Sequence, residues 1–408
     1  MTDDLIQLAN YHTPSIIKVI GVGGGGGNAV AQMYRDGIPE VRYLVANTDK
    51  KALQTNPVPD HLQMGPGLGA GGNPTVGRQL ALDSQEEIDA CLDDETKMVF
   101  ITAGMGGGTG TGASPVIAHR AHEKGILTVG IVTIPFLFER EKQIDKALDG
   151  LEELAKEVDA VLVINNQRLC DIYPDLSIVN AFKRADETLS TAVSSITEII
   201  SMHGRVNLDF QDVEATLTNG GVAVMSTGYA EGEGRVTRAI KEALNSPLLN
   251  NNDIFKASRI LLAITTNSKD ESMITMSEMG EINEFMDKFN VDIKSKWGLA
   301  FDPELGDKVK ITIIASGFGL YGEKDSTTID FTVEPSVDDE AKEKKMERRT
   351  GFYGENNKPK ARPRPRIYLF SDDDLRNLEL LRQVENVPTG QRTAEQLKKI
   401  KETSNTTN

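Results

Sequence analysis

Cysteine is nearly absent. Cys91 and Cys170 are the only two in 408 residues, too few for a disulfide framework or a thiolate zinc site, and they read as plain thiols in a reducing compartment. No apolar run approaches the roughly 20 residues that cross a bilayer. The acidic start, Met1-Thr2-Asp3-Asp4, is followed by no long apolar stretch, so no secretory signal is expected and the predicted location is the cytoplasm. The five histidines, His12, His61, His119, His122 and His203, show no metal-ligand spacing. Positive charge is also short: 45 Lys+Arg against 61 Asp+Glu leave a net charge of −16. A general nucleic-acid binder needs a basic face against the phosphates, and none is predicted. The acidity sits in the body, where residues 1–333 carry −18, while 334–366 hold ten basic and seven acidic side chains. What is present, 39% hydrophobic residues in a chain of this length, suits two folded domains and a tail.

Short β-branched or apolar runs at 16–22, 43–46, 98–102, 127–132 and 160–164 read as strands, with helical stretches between several of them. Such alternation predicts a Rossmann-like α/β fold, a parallel sheet covered on both faces that binds ligands at the carboxyl ends of its strands. At 178–202 the period changes. Ile178, Phe182, Ala185, Leu189, Val193, Ile196 and Ile200 recur every three or four residues, predicting one amphipathic central helix of roughly 37 Å. Two further strand-like runs, 259–264 and 309–315, flank a helical stretch at 276–288 and predict a smaller α/β domain. Residues 334–366 are charged and poor in apolar side chains, which predicts a disordered linker. Apolar content returns at 367–370 and 375–384, as a partner-docking peptide or else as an extra helix on the body. The expected layout is an N-terminal extension (1–15), a first domain (16–177), the central helix (178–203), a loop (204–213), the second domain (214–333), the linker (334–366) and a tail (367–408).

Chemistry concentrates in glycine. Residues 21–28 (Gly21-Val22-Gly23-Gly24-Gly25-Gly26-Gly27-Asn28) lie between a strand and a helix, where backbone can approach phosphate and a helix N-terminus offers free N–H groups. Gly21, Gly23 and Gly26 also fit G-x-G-x-x-G, and Asp49 stands where that motif places its acidic ribose ligand, so a dinucleotide site is an alternative reading. A second loop, Gly104-Met105-Gly106-Gly107-Gly108-Thr109-Gly110-Thr111-Gly112, repeats the strand–glycine–helix pattern. Its threonine hydroxyls could meet phosphate oxygens or a hydrated magnesium ion, and no Gly-Lys-Ser/Thr follows, so it is not the usual P-loop. A third turn, 65–74, could help enclose a triphosphate.

Gly107-Gly108-Thr109-Gly110-Thr111-Gly112 resembles the signature of the tubulin/FtsZ GTPase family. The flanking 101–106, together with 18–30, 46–49, 67–74, 207–213 and 245–249, are similar to its bacterial branch, in family order across about 16–332. The resemblance implies GTP or GDP, with magnesium, held in the first domain without direct side-chain ligation of the metal. It places Gly24, Gly25, Gly26, Gly27, Asn28, Gly107, Gly108, Thr109 and Gly110 against the nucleotide, and Glu139 and Asn166 near the ribose. Phe182 would stack on guanine and Asp186 would accept from its ring N–H groups. It further implies that Asn207, Asp209 and Asp212 form a catalytic loop that reaches the GTP of the next subunit, giving head-to-tail filaments in a mid-cell division ring. Tail-bound division proteins would supply the only link to the membrane. Asp209 and Asp212 also read as the N-cap and N3 residues of a helix.

Three positions depart from the family pattern. Arg140 replaces a common glycine, Gln143 replaces a phosphate-facing arginine, and Asn165 replaces a common proline. Two alternatives remain open at this point. One is a nucleotide-regulated filament with little hydrolysis; the other is an NAD-dependent oxidoreductase, which leaves the second glycine loop unexplained.

Overall fold

Ile17–Val22 forms β1 and is buried at every position, as a strand covered on both faces must be. In the computed structural model, residues 15–92, 95–202, 204–245, 254–269, 272–290, 292–318 and 337–354 are described. From β1 the chain alternates through α1 (Gly23–Asp36), β2 (Val41–Asn47), α2 (Lys50–Gln54), β3 (His61–Gln63), α3 (Pro74–Asp83) and α4 (Gln85–Leu92). It continues through β4 (Met98–Gly104), α5 (Thr109–Glu123), β5 (Leu127–Ile134), α6 (Glu141–Ala155), β6 (Ala160–Asn165) and α7 (Asn166–Ile172). The strands of this half lie parallel in the order β3-β2-β1-β4-β5-β6. Alternate residues of β1 serve opposite faces. Ile17 and Val19 join the core on the α1 side, while Ile20 and Val22 join the one under α5 and α6.

The predicted central helix is α8 (Ile178–Ser201), 24 residues capped by the Ser177 side chain. Its Leu189, Val193 and Ile196 share one core with β1 of the first half and with Leu261 and Ile314 of the second. The first two turns differ from the periodic expectation: Ile178 is 66% and Phe182 44% exposed. That end of the helix projects beyond the core. After α8 come β7 (Gly204–Val206), α9 (Phe210–Leu217), β8 (Gly221–Glu231), α10 (Arg235–Leu244), β9 (Arg259–Thr266), α11 (Met276–Met286), β10 (Lys294–Phe301) and β11 (Lys308–Phe318). β8 runs beside β6 for three residue pairs, so the described strands make one continuous sheet, continuing β6-β8-β11-β9-β10-β7. A further core packs α10 and α11 on its outer part, through Val236, Ile240, Ile282 and Phe285.

The expected disordered linker differs from the structure over α12 (Val337–Tyr353). This helix ends with Phe352 buried and with Arg348 and Arg349 paired to acids of α6. Composition alone counts charges and cannot see that these find opposite partners. The rest of the linker, the tail 367–408 and all but Ser15 of the N-terminal extension lie outside the described residues. Among the described residues no helix is long and apolar enough to cross a membrane.

Candidate active site

In the strand order of the first half, the chain turns opposite ways from β1 and from β4, and ligands of such sheets bind outside the carboxyl ends at that switch point. Both glycine loops are there, in backbone contact. A Cβ on Gly23 would stand 2.8 Å from the Gly110 nitrogen, and one on Gly26 only 2.2 Å from the Thr102 carbonyl oxygen. These glycines let the two loops touch. Gly24 and Gly107 are different: a Cβ there would meet nothing within 4 Å, so their backbone faces open space. Gly25 lies against Gly104, and Gly27 against Val45. The third turn closes in from the side, since a Cβ on Gly108 would stand 2.8 Å from the Asn73 nitrogen. The Thr48 and Thr109 hydroxyls hydrogen-bond at 2.6 Å, joining the end of β2 to the second loop.

Helix ends tell the same story. Side chains cap α2, α3, α7, α8, α9 and α11. α1 and α5, which start in the two loops, have no side-chain cap; α6 and α10 also lack one. The first N–H groups of α1 (Gly23 to Gly26) and of α5 (from Thr109) thus have no partner within their helices, and an anion is the natural one. Asp49 Oδ1 accepts from Lys51 N and Ala52 N as the cap of α2, so the residue that would hold a ribose in a dinucleotide site has one carboxylate oxygen engaged by its own helix.

The ends of β5 and β6 supply the neighbouring wall. Phe136 N donates to Glu139 Oε1 at 2.9 Å, fixing the Glu139 side chain on the turn after β5. Gln143 abuts the second loop, its Cγ 3.2 Å from where a Gly106 Cβ would stand. Asn166, 5% exposed, has a buried Oδ1 with no hydrogen-bond partner. An orphaned acceptor at that depth is costly unless a ligand donor fills it. Phe182 meets the buried Phe136 edge to face at 5.0 Å, and Phe136 stacks on the exposed Phe138. One helical turn along, Asp186 lies partly buried, and its carboxyl is pushed up to about 7, first by burial, against the pull of Arg35. Among the described residues no donor hydrogen-bonds to it.

Asn207, Asp209 and Asp212 lie elsewhere. Asn207 Oδ1 accepts from Gly204 N at 2.8 Å, shaping the loop before α9. Asp209 and Asp212 exchange hydrogen bonds as a capping box on α9. Lys296 of β10 pairs with Asp212 at 2.9 Å. Burial opposes ionisation of Asp212, but the Lys296 hydrogen bond and charge and the Asp209 backbone outweigh it, holding the carboxyl below its ordinary value. This loop follows the C-terminal end of α8, while Asp186 is near the beginning. The 15 residues from Asp186 to Ser201 span roughly 22 Å at 1.5 Å per residue. The structure therefore sets Phe182 and Asp186 toward one end of α8 and the acidic loop at the other. Lys296 was not foreseen, since nothing in the exposed sequence around it marks it.

Comparison with known proteins gives the family. The profile of the "Tubulin/FtsZ family, GTPase domain" matches residues 16–174. That of the "FtsZ family, C-terminal domain" matches 221–319, and "FtsZ, C-terminal" matches 362–407. The cell division protein FtsZ of Porphyromonas gingivalis is 47% identical, covering 98% of this chain and 91% of that one. The chain belongs to the FtsZ family. The FtsZ of Pseudomonas aeruginosa is 41% identical over 86% of this chain and 89% of its own. Among solved structures, an empty FtsZ dimer of M. jannaschii superposes with a TM-score of 0.69 at 34% identity, covering 80% of this chain and 96% of that one.

The departures from the FtsZ pattern acquire physical content here. Arg140 sits at φ 73°, ψ 162°, a region essentially reserved for glycine, which costs a side chain on the order of 1–3 kcal/mol. Asn165 caps α7 through Oδ1 and donates through Nδ2 to Phe352 O at 2.7 Å. The proline common at that position could do neither.

Proposed function

We propose that this FtsZ-family chain is a GTPase of bacterial cell division that hydrolyses GTP only when assembled head to tail. The observation that carries the reading is the separation of two half-sites along α8. The uncapped glycine loops, Asn166, Phe182 and Asp186 gather near one end of the helix, and Asp209 and Asp212 near the other. No single copy can bring them together, whereas a heterologous contact that does not close joins one copy's loop to the next copy's nucleotide and makes a filament. The FtsZ of M. jannaschii occurs as a dimer, which supports self-association.

In this reading the backbone of Gly24, Gly25, Gly26, Gly27 and Asn28, and of Gly107, Gly108, Thr109 and Gly110, cradles the phosphates. Glu139 and the orphaned Asn166 amide take the ribose, and Gln143 supports the second loop. Phe182 stacks on the base. Asp186 accepts from guanine N–H groups that adenine does not offer in that arrangement. Asp209 and Asp212, arriving from the neighbour, orient water toward the γ-phosphate, and Asn207 shapes their loop. Magnesium belongs with the triphosphate and offsets its charge when bound. Among the described residues no group of three His, Cys, Asp or Glu side chains suits a metal ion, so the Thr48–Thr109 hydroxyl pair is what this chain offers a hydrated ion. The tail 367–408 would carry division partners and an indirect membrane tether, bringing the filament to mid-cell.

Sedimentation and phosphate release with GTP, ATP or NAD, comparing the wild type with Asp212→Ala, test the reading. GTP alone should drive pelleting and release, with release lost in the variant. An equal response to ATP, or a specific activity independent of protein concentration, would sink the shared site.

A further inference from the structure

The last two turns of α12 run along α6 and finish at the ends of β5 and β6. The Arg348 guanidinium, 10% exposed, reaches Asp149 at 2.5 Å and Glu152 at 3.0 Å. Arg349 grips Asp145 with two bonds of 2.7 Å and pairs with Glu141 at 3.1 Å. A guanidinium bound bidentately to a carboxylate in a half-buried setting fixes orientation as well as position. Phe352 is buried in the core that α5 and α6 share. The Tyr353 hydroxyl donates to Pro135 O at 2.7 Å, and Phe352 O accepts from Asn165 Nδ2 at 2.7 Å.

Both landing points adjoin the ribose side of the cleft. Pro135 opens the turn that sets Glu139, through the bond from Phe136 N, and that holds the Phe136 ring on Phe182. The same turn ends at Arg140 in its glycine-like conformation, which must be imposed by its surroundings. Asn165 precedes the buried, unpartnered Asn166. Glu139 also raises the Tyr353 phenol, after burial, which places the two side chains within electrostatic reach.

We propose that residues 348–353 are a positioning strap for nucleotide binding, in which Tyr353 and the Phe352 carbonyl hold the Glu139 turn and the Asn166 backbone in their binding geometry. The segment leading to the tail is thereby coupled to nucleotide affinity: what pulls α12 off α6 loosens the ribose side of the site. The inference rests on the reading of this cleft as the GTP site.

The test uses the full chain with Tyr353→Phe, Asn165→Asp, which keeps the cap acceptor for Gln167 N but not the donor, and the double variant Arg348→Ala/Arg349→Ala. Hydrogen exchange of amides 136–140 and 348–353 is measured with binding of a fluorescent GDP analogue and the KM and kcat for GTP. Each single variant should raise KM about three- to ten-fold, as loss of one net hydrogen bond implies, and the double variant more, with kcat at saturation nearly unchanged. Protection should fall in both segments together. Three results overturn the inference: a wild-type 348–353 segment already open to exchange, a double variant that keeps it closed, or an opened strap with unchanged exchange at 136–140 and unchanged KM. A wild type that binds no guanine nucleotide sinks the site reading itself; nucleotide binding indifferent to an opened strap sinks the strap alone.

Discussion

Asp186→Asn should make the nucleotide-free protein more stable while depriving it of GTP. The wild-type carboxyl is partly buried on α8 without a donor, and its pKa stands near 7 against 3.8 ordinarily, chiefly from burial, with Glu187 adding and Arg35 opposing. Because the folded value lies above the unfolded one, its contribution to stability is whole below about pH 4. It is lost as pH rises through about 7. About three units at 1.36 kcal/mol each give an upper bound of about 4 kcal/mol, and solvent screening of the partly exposed oxygens brings the expected gain of the amide to roughly 1–3 kcal/mol. Urea unfolding of nucleotide-stripped protein at pH 5, 6, 7 and 8 reads this directly. The variant should exceed the wild type at pH 8, with the gap shrinking toward pH 5. Added GTP should reverse the order, because only the wild type gains binding stabilisation. Equal stabilities at pH 8, or a gap independent of pH, would refute the reasoning.

Asp209→Ala removes the cap of α9 and should cost about 1 kcal/mol by thermal unfolding, whereas Asp212→Asn, which gives up only the charge paired with Lys296, should cost less, about 0–1 kcal/mol, yet release no phosphate from GTP. Gly26→Ala places a Cβ 2.2 Å from the Thr102 carbonyl, while one at Gly24 meets nothing within 4 Å. The first should fold poorly or melt well below the wild type; the second should melt normally and bind nucleotide more weakly. Arg140→Gly relieves a conformation worth on the order of 1–3 kcal/mol and gives back about 1 in glycine entropy, so a net gain of about 1 kcal/mol is expected in urea. An unchanged KM for GTP in that variant would show that Arg140 does not serve as the cation missing at Gln143.

Strand, glycine loop and helix follow one another so closely in this chain that the parallel half of the sheet and its two glycine loops were legible from the residues alone. Short β-branched runs bounded by glycine favour strands buried on both faces, and glycines between such a strand and a helix leave few readings besides close backbone approach. The signature at 107–112 then pointed to the family, and the period of α8 announced a long helix, 24 residues in the structure. β8 and β10 were not legible, since small and polar residues interrupt the first and the whole first half of the second is exposed. What tertiary structure alone decided was who meets whom. It showed Asp49 capping α2, Asn166 left with an unanswered acceptor, Lys296 set against Asp212, and α12 laid on α6 where composition predicted a free linker. Each of these depends on contacts between residues far apart in the chain. Local pattern carries the propensity of a segment, but the partner of a buried charge or carbonyl exists only once the segments have packed.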